Sequence, residues 1–232
     1  MNLPAKHLKK VHQRINEAAK AANRPAADIR LIAVSKTKPA AEVKLVYQAG
    51  QRDFGENYLQ EAIDKINSLQ NLDAIQWHFI GAIQSNKTRP IAEHFDWVHS
   101  VDRLKIATRL SDQRPAELAP LNLCLQVNIS NEESKAGISL AEIPDLAREV
   151  NKLDNIKLRG LMAIPLKTKD ATEQRRFFRQ LKDCLDELNS EGMCLDTLSM
   201  GMSNDMEAAI AEGATMIRVG TAIFGERAAK VG

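Results

Sequence analysis

The chain has 232 residues, of which 44% are hydrophobic and 27% are charged, and its formal net charge is +2. This length and composition are ordinary for a soluble globular protein with one substantial core. The small net charge and the lack of a basic run interleaved with aromatic residues argue against nucleic-acid binding. No apolar stretch is long enough to predict a membrane span.

The N-terminal segment, residues 1–25, predicts an amphipathic helix that packs on the body of the protein. Its apolar residues recur at helical spacing, among them Leu8, Val11 and Ile15. Charged residues interrupt the segment where a signal peptide would have its apolar region. The cysteines of the chain are odd in number and lack metal-like spacing, which fits a reducing compartment. We therefore expect a cytoplasmic protein.

The rest of the chain alternates between strand and helix patterns. The predicted strands are Leu31–Ser35, Arg52–Gly55, Gln76–Ile80, Trp97–Val101, Leu121–Asn128, Ile156–Ala163, Thr197–Met200 and Met216–Val219. The predicted helices between them are Ala41–Ala49, Tyr58–Leu69, Asn86–His94, Leu104–Asp112, Leu140–Leu153, Glu173–Asn189 and Asp205–Ala211. This alternation favours an α/β fold with a parallel sheet. Eight units favour a (β/α)8 TIM barrel over residues 31–225, within one domain of residues 1–232 that carries the extra N-terminal helix.

An open doubly wound sheet is the alternative fold. Such a sheet is expected to carry a glycine-rich turn after its first strand, where a dinucleotide binds. Here that turn reads Ser35-Lys36-Thr37-Lys38 and contains no glycine. We therefore favour the barrel, in which functional groups belong at the C-terminal ends of the strands.

Lys36 follows the first predicted strand, a short apolar run that reads as a buried parallel strand. Pro39 suits the first turn of the next helix. A desolvated lysine at a barrel mouth has its ammonium form disfavoured, so its free amine becomes a nucleophile for a carbonyl. The alternative is a lysine whose charged end reaches solvent, the more common case for an isolated strand-end lysine.

The ends of the last two strands predict a phosphate cradle. Asn204 with Glu207 fits a capping box, which leaves Ser203 at a helix N-terminus. A helix N-terminus offers unpaired N–H groups and a favourable dipole to an anion. Gly220 and Thr221 add a turn where the backbone can approach a ligand closely. Ordinary capping and turn chemistry explain each segment alone, but barrels often bind phosphate after strands seven and eight.

Arg218 lies inside the apolar last strand. Strand alternation puts it on the same face as Met216 and Gly220. If that face is the barrel interior, the guanidinium is buried and must be paired. Two interpretations remain: a buried ion pair with a carboxylate of another strand, or a hydrogen bond to a ring nitrogen or anionic group of a ligand.

His78 shares one strand face with Gln76 and Ile80, while Trp77 and Phe79 lie on the other face, against the helices. A single strand histidine is more often a core residue than a catalyst. No serine or cysteine nucleophile is marked as its partner, so a hydrolase triad is not supported. No histidine, aspartate and glutamate cluster has metal-ligand spacing. We predict neither a metal site nor a catalytic residue.

The lysine, the phosphate cradle and the arginine together indicate one cofactor. A lysine on strand one would face a phosphate site on strands seven and eight, with an arginine beside it. Pyridoxal phosphate needs a lysine for its aldehyde, a cradle for its phosphate and a partner for its pyridine nitrogen.

The chain resembles the YggS/PROSC family of pyridoxal-phosphate-binding homeostasis proteins from about Leu31 to Gly225. The segments that carry the resemblance are Ala33-Val34-Ser35-Lys36-Thr37-Lys38-Pro39, Phe54-Gly55-Glu56-Asn57-Tyr58, Trp77-His78-Phe79-Ile80-Gly81-Ala82-Ile83-Gln84-Ser85-Asn86-Lys87, Arg159-Gly160-Leu161-Met162, Ser199-Met200-Gly201-Met202-Ser203-Asn204-Asp205-Met206 and Arg218-Val219-Gly220-Thr221-Ala222-Ile223-Phe224-Gly225. The stretch from His78 to Lys87 is a specific signature of this family. The family in turn resembles the N-terminal barrel of alanine racemases and bacterial-type ornithine decarboxylases.

The resemblance implies a set of cofactor-binding residues. Lys36 would hold pyridoxal phosphate as a Schiff base, and Arg218 would face the pyridine nitrogen and keep it unprotonated. The residues implied for the phosphate are Ser203, Gly220 and Thr221. The residues implied to lie near the ring are Asn57, His78 and Met162. The roles of Lys38 and Lys135 stay open, and Lys135 reads more readily as a solvated loop lysine.

One departure from the racemases bears on function. Those enzymes continue into a β-rich second domain that supplies a catalytic tyrosine across a dimer, whereas this chain stops at Gly232. Its tyrosines, Tyr47 and Tyr58, both fall in predicted helices. The second acid/base of a two-base racemase is therefore missing. We expect a monomer that stores, buffers or delivers pyridoxal phosphate to apoenzymes, without ordinary enzymatic turnover.

Two alternative functions stay open. One is a pyridoxal-phosphate-dependent amino-acid racemase or decarboxylase with an open single-domain barrel. The other is a cofactor-free aldolase in which Lys36 attacks the substrate itself. A yellow colour of the purified protein would exclude the aldolase, and turnover of amino acids would separate an enzyme from a carrier.

Overall fold

The computed structural model describes residues 3–130, 132 and 135–226, and its centre is a closed barrel of parallel strands. The strands are β1 (Arg30–Val34), β2 (Asp53–Glu56), β3 (Gln76–Phe79), β4 (Trp97–Val101), β5 (Leu121–Val127), β6 (Ile156–Ala163), β7 (Thr197–Ser199) and β8 (Met216–Val219). They pair in chain order, and β8 pairs with β1 to close the barrel. The predicted eight-stranded barrel is confirmed.

Helices surround the barrel and connect its strands. In the described part of the chain they are α1 (Leu3–Ala21), α2 (Ala40–Gln48), α3 (Leu59–Ser68), α4 (Thr88–His94), α5 (Leu104–Gln113), α6 (Ile143–Val150), α7 (Ala171–Ser190), α8 (Met206–Ala211) and α9 (Thr221–Phe224). Helix α1 packs against α2, α8 and α9 through buried residues that include Leu8, Val11 and Ile15. The predicted amphipathic N-terminal helix is confirmed. None of these helices is long and apolar enough to cross a membrane.

The apolar core has two parts. The larger part lies between the barrel and the helices and contains Trp77 and Phe79, as the strand alternation predicts. A smaller cluster lies apart from it and consists of Ile32, Trp97, Cys124, Met162 and Met216. These five residues come from strand positions that alternate with the helix-facing ones, so the cluster fills the barrel interior.

Four local predictions differ from the structure. The predicted helix Leu140–Leu153 is a 3-10 turn at Leu140–Glu142 followed by α6, which ends at Val150. Tyr58 is the residue before α3 and does not lie within the helix. Helix α9 was missed, because four residues are too few to show a helical period. The predicted N-terminal helix extends to residue 25, whereas α1 ends at Ala21. The other predicted bounds agree to within two residues.

Candidate functional site

The C-terminal ends of the strands form the mouth of the barrel, where the predicted site residues gather. Lys36 follows β1 by two residues and is half-buried. Asn57 directly follows β2, Ser203 follows β7, and Gly220 directly follows β8. A Cβ atom added to Gly220 would lie 3.1 Å from the Val34 carbonyl oxygen, at the end of β1. The loop after β8 therefore passes beside the segment that carries Lys36.

The backbone on either side of Lys36 is held by hydrogen bonds. The Ser35 N–H donates to the Gly55 carbonyl at 2.9 Å, and the Thr37 N–H donates to Glu61 Oε1 at 2.6 Å. Thr37 has a φ of +63°, in the left-handed region. A non-glycine residue held there costs on the order of 1–3 kcal/mol, so the surrounding contacts must maintain the turn. This turn sets the direction in which Lys36 leaves the barrel.

A group of polar and charged side chains, buried except for the partly exposed Glu61, maintains this turn. We call Ser35, Glu56, Glu61 and Lys65 the Glu56 network. Lys65 Nζ donates to Glu56 Oε1 at 2.7 Å, to Glu61 Oε1 at 2.6 Å and to the Ser35 carbonyl at 2.7 Å. The Ser35 hydroxyl also donates to Glu56 Oε1, at 2.6 Å. Because Lys65 is 5% exposed and Glu56 is fully buried, the attraction acts with little solvent screening.

The Glu56 carboxyl is not fully satisfied. Burial raises its pKa, and the charge and hydrogen bonds of Lys65 and the hydroxyl of Ser35 oppose that rise. Its second oxygen, Oε2, is buried and has no hydrogen-bond partner among the described residues. A half-satisfied buried carboxylate depends strongly on the one cation it contacts.

Sequence reasoning missed the role of Lys65 and Glu61. A signal was present, because Lys65 stands three residues after Ala62 and four before Leu69 on helix α3, and both are buried. A lysine on the apolar face of a helix must find a buried partner. The partner, Glu56, belongs to a neighbouring strand and not to the helix itself.

Asn57 contributes an acceptor at the mouth. Its side-chain oxygen Oδ1 is buried and has no hydrogen-bond partner among residues 3–130, 132 and 135–226. The backbone around it is crowded, since a Cβ atom at Gly81 would lie 2.2 Å from the Asn57 carbonyl oxygen. The Ser100 hydroxyl holds Gly81 in place by donating to its carbonyl at 2.5 Å. The geometry thus presents one unsatisfied polar atom where a ligand could meet it.

The predicted capping box at the start of α8 is wrong. The N-cap of α8 is Asp205, one residue later than Asn204, and no side-chain cap bond is formed. Asp205 Oδ1 instead accepts from the Met202 N–H at 2.5 Å, within the loop. Burial raises the pKa of the Asp205 carboxyl. Glu207 points elsewhere and forms an ion pair with Arg14 of α1 at 2.7 Å.

The loop that carries Ser203 is tied to the N-terminal helix. Arg14 Nη2 donates to the Ser203 carbonyl at 3.0 Å, and Ser203 itself is half-buried. Gly201 has a φ of +92°, and a Cβ atom there would lie 2.5 Å from the Ala209 methyl carbon. The loop can therefore pass this close to α8 only with glycine at position 201. At the neighbouring strand end, Thr221 begins α9, where the first N–H groups have no acceptor within the helix.

Arg218 lies inside the barrel, as predicted, and is 4% exposed. Its Nη1 donates to the Ser199 carbonyl at 2.6 Å and to the Ser199 hydroxyl at 2.7 Å, and its Nη2 donates to the Ala163 carbonyl at 2.9 Å. Burial lowers its pKa to about 10, and the charge of Asp205 opposes that change. Arg218 forms no salt bridge with a carboxylate in the described part of the chain, so the ion-pair interpretation is wrong.

His78 lies in a row of hydrogen bonds that crosses the barrel interior, and we call its members the histidine chain: Asp53, His78, His99, Ser199 and Arg218. His78 Nε2 is 3.0 Å from Asp53 Oδ1, and His78 Nδ1 is 2.9 Å from His99 Nε2. His99 Nδ1 is 2.8 Å from the Ser199 hydroxyl. Both imidazoles are fully buried. Sequence reasoning missed His99, although alternation along β4 puts it on the same face as Trp97.

Lys38 and Lys135, whose roles the sequence left open, both have structural partners. Lys38 Nζ donates to the Phe224 carbonyl at 2.9 Å and to the Glu226 carbonyl at 3.0 Å, which joins the loop after β1 to the end of α9. Lys135 forms an ion pair with Glu132. Among the described residues, no group of three or more histidine, cysteine, aspartate or glutamate side chains could hold a metal ion.

Known proteins resemble this chain over nearly its whole length. The model of the alanine racemase N-terminal domain matches residues 7–228. The pyridoxal phosphate homeostasis protein of Pseudomonas aeruginosa is 60% identical over 227 residues, 98% of this chain and 97% of that protein. The protein of the same name from Escherichia coli K12 is 54% identical over 229 residues, 98% of each chain.

The chain belongs to the pyridoxal phosphate homeostasis protein family. Solved structures of other proteins share the architecture of this chain. PipY of Synechococcus elongatus PCC7942 with PLP bound is 42% identical, with a TM-score of 0.79 over 91% of this chain and all of that one. An alanine racemase of Clostridium difficile shares the fold at 17% identity, with a TM-score of 0.71 over 95% of this chain and 57% of that one.

Proposed function

We propose that this protein binds pyridoxal phosphate covalently through Lys36 and serves its homeostasis by storing, buffering or delivering it. The observation that carries the proposal is the position of Lys36. It follows β1 in a strained turn that the Glu56 network holds, beside the loop after β8. Relatives of full length at 54% and 60% identity that are named for this function support it.

The residues at the mouth fit the cofactor. Ser203, Gly220 and Thr221 would hold the phosphate, since the first N–H groups of α9 and the close passage of the backbone at Gly220 favour an anion. The buried and unsatisfied oxygen of Asn57 offers an acceptor to a polar group of the ligand. When bound, the cofactor supplies an aldehyde that a lysine amine captures and a ring that accepts electrons.

Inside the barrel, Arg218 would face the pyridine nitrogen as a donor. Three of its five N–H groups are used by Ser199 and Ala163, so two remain for a ligand. Met162 would lie near the ring, because it stands near the C-terminal end of β6 and directly precedes the Ala163 carbonyl that binds Arg218. His78 would influence the cofactor ring only through Arg218, since its own hydrogen-bond partners are Asp53 and His99.

We further propose that the protein is a carrier and not an enzyme. Racemisation needs a proton taken from one face and returned on the other, hence two positioned groups. Tyr47 is occupied, because its hydroxyl donates to the Asp73 carbonyl at 3.0 Å. Tyr58 is 51% exposed in the loop after β2, where solvent competes with any substrate. A cationic donor at the ring nitrogen would also make the ring a weaker electron sink.

The proposal also covers the domain organisation, the location, the oligomeric state and the partners of the protein. We propose one domain over residues 1–232, in which the N-terminal segment of residues 1–25, which contains α1, is added to the barrel of residues 31–225. We also propose a cytoplasmic monomer whose partners are pyridoxal phosphate and the apoenzymes that receive it. Sedimentation of the purified protein with and without cofactor tests the monomer.

The test of cofactor binding is chemical. The purified protein is mixed with pyridoxal phosphate, reduced with borohydride and digested, and the modified peptide is identified by mass spectrometry. We expect the adduct on Lys36, its loss in Lys36→Ala and its retention in Lys38→Ala. An adduct found solely on another lysine would refute the assignment.

Turnover separates the carrier from the racemase or decarboxylase. Alanine, lysine, ornithine and arginine of both hands are incubated with the fully loaded protein. We expect trace conversion at most, together with transfer of the cofactor to an added apoenzyme. Rapid conversion of any of these amino acids that Lys36→Ala abolishes would contradict the carrier and favour the enzyme.

A further inference from the structure

The two ends of the histidine chain have opposite hydrogen-bonding character. At one end stands the Asp53 carboxylate, which only accepts hydrogen bonds, and at the other stands the Arg218 guanidinium, which only donates them. The two imidazoles and the Ser199 hydroxyl between them can each donate and accept. With both imidazoles neutral, the Asp53 end fixes the directions of the inner bonds, and the Arg218 end is compatible with them.

The Arg218 end is compatible with one continuous arrangement. Arg218 Nη1 donates to one lone pair of the Ser199 hydroxyl oxygen, and the hydroxyl hydrogen can donate to His99 Nδ1. His99 then carries its proton on Nε2 and donates to His78 Nδ1. His78 likewise carries its proton on Nε2 and donates to Asp53 Oδ1.

The Asp53 end selects this arrangement when both rings are neutral. A carboxylate acceptor requires a proton on His78 Nε2, which makes His78 Nδ1 an acceptor in the neutral ring. His99 must then donate from Nε2 and accept at Nδ1. This arrangement leaves every member of the chain satisfied with two neutral imidazoles.

A proton added to either ring would break this arrangement. A protonated His78 would place two N–H groups face to face at the contact with His99. Both rings are fully buried, and burial lowers the pKa of His78 and lowers that of His99 well below its usual range. The positive charges of Arg218 and Arg30 act on His99 in the same direction.

We propose that Asp53, His78, His99 and Ser199 are positioning residues that orient the Arg218 guanidinium through one continuous row of hydrogen bonds running in a single direction. Both Nη1 hydrogens are committed to Ser199, and Nη2 is committed to Ala163, so the plane of the guanidinium cannot rotate. The two remaining N–H groups are then aimed by the barrel interior and not by the ligand. The benefit to the cofactor rests on the function proposed above.

The first arm of the test needs no cofactor. Long-range nitrogen–proton spectra of the full-length, 15N-labelled protein at neutral pH report the tautomer of each imidazole, assigned with His78→Phe and His99→Phe. We expect His78 and His99 both to be neutral with the proton on Nε2. A proton on Nδ1 of either ring, or a charged ring, would overturn the proposal.

A matched pair of variants tests the link to Arg218. Ser199→Ala and Cys124→Ala each remove one heavy atom from a fully buried strand position, but only Ser199 belongs to the chain. We expect Ser199→Ala to move the His99 Nδ1 resonance and Cys124→Ala to leave it in place. Asp53→Asn keeps an acceptor and should keep the tautomers, whereas Asp53→Ala should disturb His78. Equal spectra for Ser199→Ala and Cys124→Ala would contradict the chain.

The second arm uses pyridoxal phosphate as the probe. We expect Ser199→Ala to weaken its binding about tenfold, the usual effect of losing one hydrogen bond to a charged group. Cys124→Ala should bind as the unmodified protein does. If Ser199→Ala also binds unchanged, the chain does not position Arg218 for the ligand. If the unmodified protein fails to bind, the proposed function is wrong, while the tautomers of the cofactor-free protein still decide the chain.

Discussion

The Glu56 network and the histidine chain satisfy buried polar groups in opposite ways. The Glu56 network lies between β2 and α3, contains two carboxyl groups and one ammonium, and leaves Glu56 Oε2 without a partner among the described residues. The histidine chain lies inside the barrel and separates its two charged ends by neutral groups, with each inner bond made. Stability should therefore depend more on the first, and the orientation of a functional group more on the second.

The largest effect is expected from the cation of the Glu56 network. Lys65→Met removes the ammonium from a fully buried carboxyl and from the Ser35 carbonyl. Breaking a buried pair by removing one partner typically costs about 3–5 kcal/mol, so the free energy of unfolding in urea should fall by that order. The double variant Lys65→Met with Glu56→Gln should recover part of the loss.

An exposed lysine provides the control for this prediction. Lys152 pairs with Glu149 at 2.6 Å, but its side chain is 67% exposed. Lys152→Met should change stability little, since surface pairs contribute little. If Lys65→Met were as mild as Lys152→Met, the Glu56 network would not hold the turn at Lys36.

The histidine chain should affect how the free energy of unfolding depends on pH. A ring whose pKa is lowered by folding stays neutral in the native protein but takes up a proton in the unfolded chain below pH ~6.5. The unfolded state then binds more protons, so stability falls as the pH falls. The pKa of His99 in the folded protein lies well below its usual range. At one pH unit below the unfolded-chain pKa of ~6.5, its contribution should therefore lower the free energy of unfolding by about 1.4 kcal/mol.

Comparison with His99→Phe isolates this contribution. Carboxyl groups with raised pKa, such as Glu56 and Asp205, act in the opposite direction, but they are present in both proteins. Urea unfolding at several pH values between neutral and mildly acidic should show a smaller slope for His99→Phe. Identical slopes would mean that folding does not change the pKa of His99.

The smallest effect is expected at the strained turn. Thr37→Gly removes the strain of a left-handed threonine but adds freedom to the unfolded chain, so stability should rise by at most ~1 kcal/mol. Binding of pyridoxal phosphate should weaken, because Lys36 is less firmly aimed. Thr108→Gly, within α5, should lower stability instead. A marked loss of stability in Thr37→Gly would show that the turn is unstrained.

Much of the site could be predicted because strand alternation is a local property. It indicated that Trp77 and Phe79 face the helices and that Arg218 lies inside the barrel, and both predictions are confirmed. The mouth position of Lys36 followed from the same alternation of strands and helices. The capping box at Asn204 failed because the Asp205 carboxylate binds the Met202 N–H and moves the start of α8 by one residue.

The sequence by itself determined the barrel, since a repeated strand and helix pattern leaves few ways to bury both faces of a parallel sheet. It did not determine which polar side chains meet. Asp53, His99 and Ser199 come from three strands, and Lys65 comes from α3, three elements after β1. Only closure of the barrel, which sets the stagger between strands, brings the first three to one level. The packing of α3 against β2 then decides that Lys65 reaches Glu56 and not solvent.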